Sequence, residues 1–491
     1  MRFSTSIHNQ NWPNTASMDF FFYEDELPIM EVIGRVGDSL SFPTYVVGGF
    51  VRDRLINRPT KDIDIVCVGD GPKLASEVAK ALGVKKGITI FKRFGTAMIN
   101  YKGLELEFVG ARKESYSPDS RKPAVQPGSL QDDQNRRDFT INALAVSLNQ
   151  ATFGELLDSF GGVDDLKARV IRTPLEPGKT FSDDPLRMMR AIRFSTQLDY
   201  DIDDITFEGI KAYQDRLSII SMERITTELN KIVCSPIPSK GFNLMSESGL
   251  LVQILPEMEK LRGVEIRNGM GHKDNYYHTL KVLDNLAMET ENLWLRWAAI
   301  LHDIAKPPTK RFYNDQGWTF HGHEVVGARW VPKIFKSLKL PLDAKMKYVQ
   351  KLVRLHLRPI SLTKEDITDS AIRRLLFDAG EDIEDLMLLC KADITSKNAV
   401  KVKRIKQNYD IVSQKLKEVE ESDKIRNWQP PITGEIIMST FDIKPSREVG
   451  IIKDSIREAI LDGVITNDYA AAFTYMLEQG NKIGLQPVDP Q

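Results

Sequence analysis

The pattern of apolar and polar positions changes character near residue 155. Before that point short β-rich runs alternate with helical ones, and after it the spacing is almost wholly that of amphipathic helices. TYVV, DIDIVCV and ITIF predict strands, and AMINYKGLELEFVGA predicts a hairpin that turns at Lys102 and Gly103. The sequence therefore predicts an α+β protein, with a small mixed or antiparallel sheet at the head and an all-helical body behind it.

Composition narrows the class of protein. Its length allows roughly three domains. The near balance of 67 basic and 68 acidic residues excludes a nucleic-acid binder that works through charged tails. A local basic groove is still compatible with this balance. The three cysteines lie far apart, so we expect neither a disulfide framework nor a thiolate zinc site. No apolar run reaches the ~18 residues of a membrane helix. Because a signal-peptide pattern is also missing, we expect a cytoplasmic protein with no membrane partner.

Acidic side chains alternate with apolar ones on two predicted strands. Asp62 and Asp64 lie two positions apart, so both carboxylates face the same side of their strand. Glu105 and Glu107 alternate in the same way on the hairpin, and we take Glu107 as the third catalytic candidate. Carboxylate oxygens suit Mg²⁺, and such a set can hold two ions for in-line nucleotidyl transfer. A DxD pair alone is more often a solvated strand face.

A glycine pair, Gly48-Gly49, ends the first predicted strand. Its backbone N–H groups can approach a triphosphate closely, and the next helix, which carries Arg52 facing the phosphates, adds a positive dipole. This ordered set resembles the class II tRNA nucleotidyltransferases and bacterial poly(A) polymerases of the polymerase β superfamily. The matching positions are Gly48, Gly49, Val51, Arg52, Asp53, Arg58, Pro59, Asp62 and Asp64.

The resemblance continues through residue 260 and implies further nucleotide-binding residues. RRDFTINALA resembles the motif that contacts the sugar and positions the nucleotide, with Arg137, Asp138 and Asn142 as its polar members; it is also typical of a capped helix start. SDDPLRMMRAIRF resembles the motif in which an acid and an arginine read the base edge, here Asp184 and Arg187. ERITTELNKIV matches a structural helix, to which we assign no chemistry.

A stretch rich in serine, proline and charge, residues 112–135, follows the predicted hairpin. Its composition predicts a mobile loop. It resembles the flexible loop of CCA-adding and A-adding enzymes, with Tyr116, Asp119 and Arg121 at the matching positions. Enzymes that add only CC lack this loop, so the resemblance disfavours CC-only addition.

Histidines cluster in the second half of the chain. Six of the seven lie between residues 272 and 356. The ordered set resembles the HD superfamily of metal-dependent phosphohydrolases, whose imidazoles suit a transition metal such as Mn, Ni, Co or Fe. The matching positions are His278, His302, Asp303, His323, His356 and Asp393. Taken singly, any of these histidines is more often an ordinary core or surface residue.

Basic residues crowd the next segment. Lys401, Lys403 and Arg404 belong to a run without an acid and are candidates for contacts with RNA phosphates. The commoner meaning of such a run is a solvated helix face.

These patterns together predict four segments and a function. The segments are a nucleotidyltransferase head at 26–155, a helical neck at 156–262, an HD domain at 263–400 and a helical RNA-binding tail at 401–491. The resemblance implies Mg²⁺-dependent, template-independent addition of CMP and AMP, from CTP and ATP, to the 3′ end of tRNA, with an added HD phosphohydrolase activity. A-adding and poly(A) activities stay open as alternatives, as do a mainly hydrolytic enzyme and a tRNA-binding scaffold. The oligomeric state is unknown from sequence.

Overall fold

The computed structural model describes residues 20, 22–91, 95–117, 120–362, 368–395, 399–423 and 429–488. The described residues form two compact units. Unit 1 draws on Met1–Ile232 and Glu247–Leu250, and unit 2 on Val233–Ser246 and Leu251–Gln491. The predicted division into four segments stays a prediction. Within the described ranges, no helix combines the length and apolarity needed to cross a bilayer.

Unit 1 contains a seven-stranded mixed sheet in the order β3-β4-β5-β2-β1-β8-β9. The strands of the unit are β1 Thr44–Val47, β2 Asp62–Cys67, β3 Ile88–Phe91, β4 Thr96–Tyr101, β5 Leu104–Gly110, β6 Arg112–Ser117, β7 Ser120–Pro127, β8 Ala145–Ser147, β9 Leu156–Leu157, β10 Val170–Ile171 and β11 Asp201–Ile202. In the sheet β2 and β5 run parallel, and the other neighbouring pairs are antiparallel. The predicted hairpin is therefore β4–β5, and both Lys102 and Gly103 take positive φ at its turn.

Helices of unit 1 follow the predicted pattern closely. They are α1 Leu27–Ser39, α2 Gly49–Leu55, α3 Gly71–Ala81, α4 Leu130–Asn135, α5 Gly162–Ala168, α6 Pro177–Asp183, α7 Leu186–Leu198, α8 Asp204–Tyr213 and α9 Met222–Val233, whose last residue falls in unit 2. In α3 the Asp70 carboxylate accepts a bond from Lys73 N at 2.9 Å, and the chain turns away at Gly83 with φ +70°. The α+β prediction is confirmed.

Two local predictions in unit 1 are wrong. The stretch predicted as a mobile loop forms an antiparallel ribbon, β6–β7, in which Lys113 lies opposite Gln126. Backbone hydrogen bonds between the two strands form despite the polar composition. The prolines of this stretch are tolerated because each strand of a two-stranded ribbon has an unpaired edge. The segment predicted as a capped helix start forms one 3₁₀ turn, Thr140–Asn142, and then enters β8. All three residues of β8 are buried, so its apolar run serves a central strand.

Unit 2 is almost wholly helical. Its helices are α10 Pro238–Glu247 and α11 Leu250–Ile254, which straddle the unit boundary, then α12 Pro256–Glu259, α13 Asn275–Ala287, α14 Leu293–Leu301, α15 Lys306–Thr309, α16 His323–Ser337, α17 Ala344–Leu355, α18 Arg358–Leu362, α19 Asp369–Ala379, α20 Ile383–Ala392, α21 Ala399–Asp423, α22 Gly434–Phe441, α23 Arg447–Leu461 and α24 Tyr469–Lys482. Two short ribbons pair β12 Ile266–Arg267 with β13 Met270–Gly271, and β14 Arg311–Tyr313 with β15 Gly317–Thr319.

The core of unit 2 includes an apolar helix next to the histidine cluster and an apolar cluster near the end of the chain. Helix α14 is buried from Leu295 through Leu301, including Trp297, so its C-terminal end is held rigidly. A second cluster joins α22, α23 and α24 through Ile437, Ile456 and Met476. The long apolar runs of the sequence thus become buried helix faces.

Candidate active site and candidate metal centre

Four acidic side chains lie on the adjacent strands β2 and β5 of unit 1, and three of them are the predicted catalytic residues Asp62, Asp64 and Glu107. The parallel register of β2 and β5 sets Asp64 opposite Glu107 and Asp62 opposite Glu105. Burial raises the pKa of Asp64, and the neighbouring charge of Asp62 adds to the rise, while Arg137 opposes it. Desolvation and the charge of Asp64 likewise raise the pKa of Glu107. Crowded carboxylates of this kind favour a bound cation, and their all-oxygen donor set fits a hard divalent ion.

Gly48 lies beside this acidic group. Its φ of +73° is unusual for a residue with a side chain. An added Cβ would lie 2.8 Å from the Arg137 Nη1 and 3.7 Å from the Asp64 Oδ2. Glycine is therefore required by conformation and by space, and Gly49 begins α2 directly after it.

Arg52, predicted to face the phosphates from α2, has its guanidinium bonded within unit 1. It is 7% exposed, and its guanidinium donates to Asp53 Oδ1 at 2.8 Å and to Asn142 Oδ1 at 2.6 Å. Its Cζ also lies 4.9 Å from the centre of the Phe194 ring. A buried guanidinium needs its donors satisfied, and these bonds tie Arg52 to the turn at Asn142, while its contact with phosphates stays a prediction.

Asp138 extends this network. Its Oδ1 accepts a bond from Asn142 Nδ2 at 2.9 Å, and its Oδ2 accepts one from Arg190 Nε at 2.7 Å. Burial opposes ionisation of Asp138, but Arg190 and Asn142 outweigh it and hold the pKa at about 2. Asp138 is therefore an ionised, fully engaged anchor for Asn142, a predicted nucleotide-binding residue, and for Arg190, which was not predicted.

A polar pocket of about 420 Å³ lies next to Asp138 in unit 1. Its lining comprises Arg136, Arg137, Asp138, Asp184, Leu186, Arg187, Arg190, Arg224, Thr227 and Glu228. Asp184 accepts a bond from Leu186 N at 3.1 Å and lies 3.6 Å from the Arg224 guanidinium. Arg187 is buried and donates to the carbonyls of Thr180 and Arg136. The excess of guanidinium groups suits an anionic ligand.

Several of these pocket residues were missed in the sequence. Arg224, Thr227 and Glu228 belong to α9, which the sequence analysis treats as structural only. They lie at one-turn spacing on a single helix face, and that spacing was the signal available. Arg136 and Arg190 stand next to predicted positions but were not singled out.

The predicted loop residues and basic residues keep their roles as predictions. Asp119 lies outside the described residues, as do the side chains of Tyr116, Arg121 and Lys401, although the backbone of those three lies in β6, β7 and α21. Lys403 and Arg404 lie exposed on α21.

A second constellation in unit 2 brings histidines to one point. His302 and His356 follow α14 and α17 directly, His323 begins α16, His278 lies in the first turns of α13 and Asp393 follows α20. The Nε2 atoms of His302 and His323 lie 3.2 Å and 3.1 Å from the carboxylate oxygens of Asp303. His278 Nε2 lies 2.9 Å from Asp393 Oδ1 and 3.4 Å from Asp303 Oδ2. All the predicted HD residues thus meet in one buried cluster.

The tautomers of this cluster are set by the main chain. His302, His323 and His356 each place Nδ1 within 2.6 to 2.7 Å of the carbonyl oxygen three residues earlier. An Nδ1–H that donates to a carbonyl leaves the Nε2 lone pair free to bind a metal. These three Nε2 atoms are buried and form no hydrogen bond within the described part of the chain. The donor set therefore fits a transition metal.

The pKa values of two acids and one histidine in the cluster are all shifted downward. Burial opposes the ionised form of Asp303, but His302 and Lys306 hold its pKa well below the usual range. The pKa of Asp393 falls to about 2, since bonding to His278 outweighs burial. Burial, together with His302, lowers the pKa of His356 to about 3. The cluster thus combines anionic carboxylates with a neutral imidazole, the protonation states that metal ligands require.

Comparisons with known proteins cover both units. One family model, described as the poly(A) polymerase head domain, matches residues 44–172; a second, described as a probable RNA- and SrmB-binding site of polymerase A, matches 199–261; a third, the HD domain, matches 275–398. A CCA-adding enzyme of Anoxybacillus flavithermus is 37% identical over 307 residues, which are 62% of this chain and 68% of that protein.

Further relatives match a larger part of the chain. An A-adding tRNA nucleotidyltransferase of Deinococcus radiodurans is 31% identical over 356 residues, 71% of this chain and 79% of that one. The crystal structure of a Bacillus stearothermophilus CCA-adding enzyme in complex with CTP has a TM-score of 0.66 at 22% identity, over 94% of this chain and 99% of that chain. The last comparison shows likeness of fold.

Proposed function

We propose that this chain, which belongs to the tRNA nucleotidyltransferase and poly(A) polymerase family, adds CMP and AMP to the 3′ end of tRNA without a template. The observation that carries the proposal is the acidic group Asp62, Asp64 and Glu107, assembled by the parallel pairing of β2 with β5. The reaction is attack of the tRNA 3′ hydroxyl on the α-phosphate of CTP or ATP, with pyrophosphate leaving. The chain acts in the cytoplasm.

Both the head domain and the HD domain imply dependence on a divalent metal. In unit 1 we assign Mg²⁺ to Asp62, Asp64 and Glu107, because their carboxylate oxygens are the ligands that this ion prefers. The raised pKa values of Asp64 and Glu107 also favour a bound cation. When bound, Mg²⁺ neutralises charge at the reacting phosphate and favours ionisation of the attacking hydroxyl. The three carboxylates would hold it next to Gly48, whose missing side chain leaves the Arg137 guanidinium close to Asp64.

The remaining residues bind and orient the nucleotide. Arg137 lies beside Gly48 and Asp64, so its charge can reach phosphate oxygens. Asp184 accepts from the exocyclic amino group that cytosine and adenine share, and Arg187 donates to the same base edge. Arg52, Asn142 and Asp138 act indirectly, because their mutual bonds fix the turn at Asn142, whose carbonyl oxygen accepts a bond from Arg137 Nη1 at 3.3 Å.

The experiment is nucleotide incorporation into a tRNA that lacks its 3′ CCA. Purified protein is incubated with Mg²⁺ and each labelled nucleotide, singly and together. Asp62→Asn abolishes incorporation, while Glu105→Gln, which removes an acidic charge two residues before Glu107, retains it. ATP addition to a tRNA already ending in CC, with no CTP addition, would make the chain an A-adding enzyme, and long A tails a poly(A) polymerase.

A second activity is supported by a separate observation in unit 2, the three buried Nε2 atoms that point at Asp303. We assign a transition metal, of the Mn, Ni, Co or Fe class, to His278, His302, Asp303, His323, His356 and Asp393. When bound, such a metal supplies an activated water for phosphoester hydrolysis. His302→Ala removes hydrolysis and leaves nucleotide addition intact, and loss of both activities would contradict this division.

RNA contacts complete the proposal. Tyr116, Asp119 and Arg121 act in the segment that discriminates CCA addition from CC-only addition. Lys401, Lys403 and Arg404 bind RNA phosphates without reading sequence. Neutralising Lys403 and Arg404 together raises KM for tRNA and leaves KM for CTP unchanged. Equal changes in both constants would contradict this role.

A further inference from the structure

Helix α17 carries a stripe of basic side chains. Lys347, Lys351, Arg354 and, at the start of α18, Arg358 follow one another at spacings of four, three and four residues. This is the period of one helix face. The opposite face is apolar and buried, with Val349, Leu352 and Val353. The exposed stripe contains no acid, so it is more one-sided than the ordinary mixed surface of a soluble helix.

The stripe lines a groove between α16 and α17. We call it the basic groove: Arg329 from α16 together with Lys347, Lys351, Arg354 and Arg358. Its volume is about 560 Å³, and the nearly buried Ala328 and Leu355 also line it. An adjoining depression of about 440 Å³ shares Lys347 and Lys351 with the groove and adds the rings of Trp294 and Tyr348. Besides these cations and aromatic rings, Asp378 lines the groove and Asp382 lines the adjoining depression.

Positive charge in the basic groove is only partly neutralised. Lys351 Nζ lies 2.6 Å from Asp382 Oδ2, and Arg358 lies 3.2 Å from Asp378 Oδ2. No carboxylate of the described chain lies within ion-pair distance of Arg329, Lys347 or Arg354, all of which are exposed. The groove therefore has an excess of positive charge available to an anionic ligand.

The basic groove is distinct from the candidate metal centre. None of the cluster residues lines it. His356 is buried among the inward residues that follow α17, whereas Arg354 and Arg358 are exposed on its outer side. A ligand in the groove would therefore use surface that neither candidate site employs.

We propose that the basic groove binds the sugar–phosphate backbone of RNA. The inference rests on the proposed function, which makes tRNA the substrate. Its free cations are spread along the helix, since Lys347 and Arg354 alone are about 10 Å apart along the axis. They do not converge on one point as they would around a single phosphate, and an extended chain of phosphates matches them. Trp294 and Tyr348 add faces on which unpaired bases can stack.

The test is a charge-neutralised variant, Arg329→Gln/Lys347→Gln/Arg354→Gln, in the full chain. The matched control is Lys260→Gln/Lys273→Gln/Lys281→Gln, which removes the same charge from exposed positions elsewhere in unit 2. Dissociation constants for tRNA lacking CCA are measured over a range of salt concentrations. Circular dichroism and metal content check that both variants fold.

The expected result is a loss of affinity confined to the groove variant. Its Kd rises about 10-fold at low salt, and the slope of log K against log salt falls by roughly 2 to 3 because about three phosphate contacts are lost. KM for tRNA rises with kcat and KM for CTP unchanged. An unchanged Kd and salt slope, or an equal loss in the control, would overturn the proposal.

Two further outcomes separate this inference from the proposed function. If wild-type protein adds no nucleotide but the groove variant still loses tRNA affinity, the groove proposal stands and the assigned activity fails. If inorganic triphosphate binds wild type tightly and the variant not at all, while tRNA affinity is the same for both, the groove serves a small phosphate ligand and the RNA proposal is overturned.

Discussion

The candidate active site in unit 1 and the candidate metal centre in unit 2 offer a cation different ligands at different depths in the protein. In unit 1 the donors are carboxylates on adjacent strands, with Asp62 and Glu107 exposed. In unit 2 the donors are imidazoles and carboxylates at helix ends, with His302 and Asp303 at most 2% exposed. An open oxygen site suits an ion that arrives with the nucleotide, and a closed imidazole site suits a resident metal.

The pKa shifts of the acids reflect the same contrast. Burial and neighbouring acids raise the pKa of Asp64, so in unit 1 the local cations do not balance the carboxylates. In unit 2 the balance is internal, because His302 and Lys306 outweigh burial and lower the pKa of Asp303. The carboxylates of unit 1 thus lack a full complement of cations, whereas Asp303 of unit 2 has the Lys306 ammonium at 2.6 Å.

The largest expected effect comes from removing a carboxylate in unit 1. Asp64→Asn lowers the rate of nucleotide addition by at least about 10³-fold, because a ligand and its charge are lost at the reacting phosphate. Single-turnover incorporation measures it, with Glu105→Gln as the control. If Asp64→Asn retains normal rates, or if it strips the metal of unit 2, the two sites are not independent as described.

Removing an imidazole in unit 2 has the converse effect. His302→Ala lowers the affinity of the resident metal by about 100-fold or more, because one ligand is lost from a buried set. Elemental analysis of the purified protein after brief dialysis against a chelator measures it, with His272→Ala, outside the cluster, as the control. Full metal content in His302→Ala would contradict the assignment of His302 as a metal ligand. A loss of nucleotide addition would contradict the independence of the two sites.

A third prediction concerns Asp138, a buried acid of unit 1 that already has its cation. Asp138→Asn lowers the free energy of unfolding by about 2 kcal/mol, a figure discounted from that of a fully buried pair because Arg190 is 34% exposed. Calorimetry of wild type and variant across pH measures it.

The pH dependence of that difference has a definite sign. The pKa of Asp138 is lowered to about 2 in the folded protein, against about 3.9 in the unfolded chain. Its ionised side chain therefore stabilises the fold fully above about pH 3.9, and this stabilisation is lost as the pH falls through about 2. The gap in Tm between wild type and Asp138→Asn is therefore constant from neutral pH to about pH 5 and narrows below it. A gap that widens on acidification contradicts the assignment.

The smallest expected effect concerns Arg224, whose pairing with Asp184 is partly exposed. Arg224→Gln raises KM for CTP and ATP by up to about 5-fold, the range of an exposed pair, and leaves KM for tRNA unchanged. Arg35→Gln, at an exposed position of α1, is the control. A change in tRNA affinity alone would place Arg224 in RNA binding instead.

Motif order made much of this architecture predictable. The alternation in DIDIVCV and LELEF predicts that Asp64 and Glu107 face one way, and the helical spacing predicted after residue 155 is confirmed by helices such as α7. The HD residues also meet, since each lies near a helix end that the apolar pattern marks. The family predicted from these motifs is confirmed by the comparisons.

What the sequence missed depends on tertiary context. The burial of Arg52 requires Asn142, distant in the chain, to supply its acceptor. The ribbon β6–β7 depends on pairing between two polar strands that propensity does not favour. Arg224 enters the polar pocket only because α9 packs beside α7. Long-range contacts of this kind leave no mark on local hydrophobic periodicity.

The most direct test of the central claim is stepwise incorporation by wild-type protein into a tRNA lacking its 3′ CCA, beside Asp64→Asn. The account predicts two additions from CTP, then one from ATP, then arrest, and none by the variant. Equal incorporation by Asp64→Asn, or no incorporation by wild type in the presence of Mg²⁺, would contradict it.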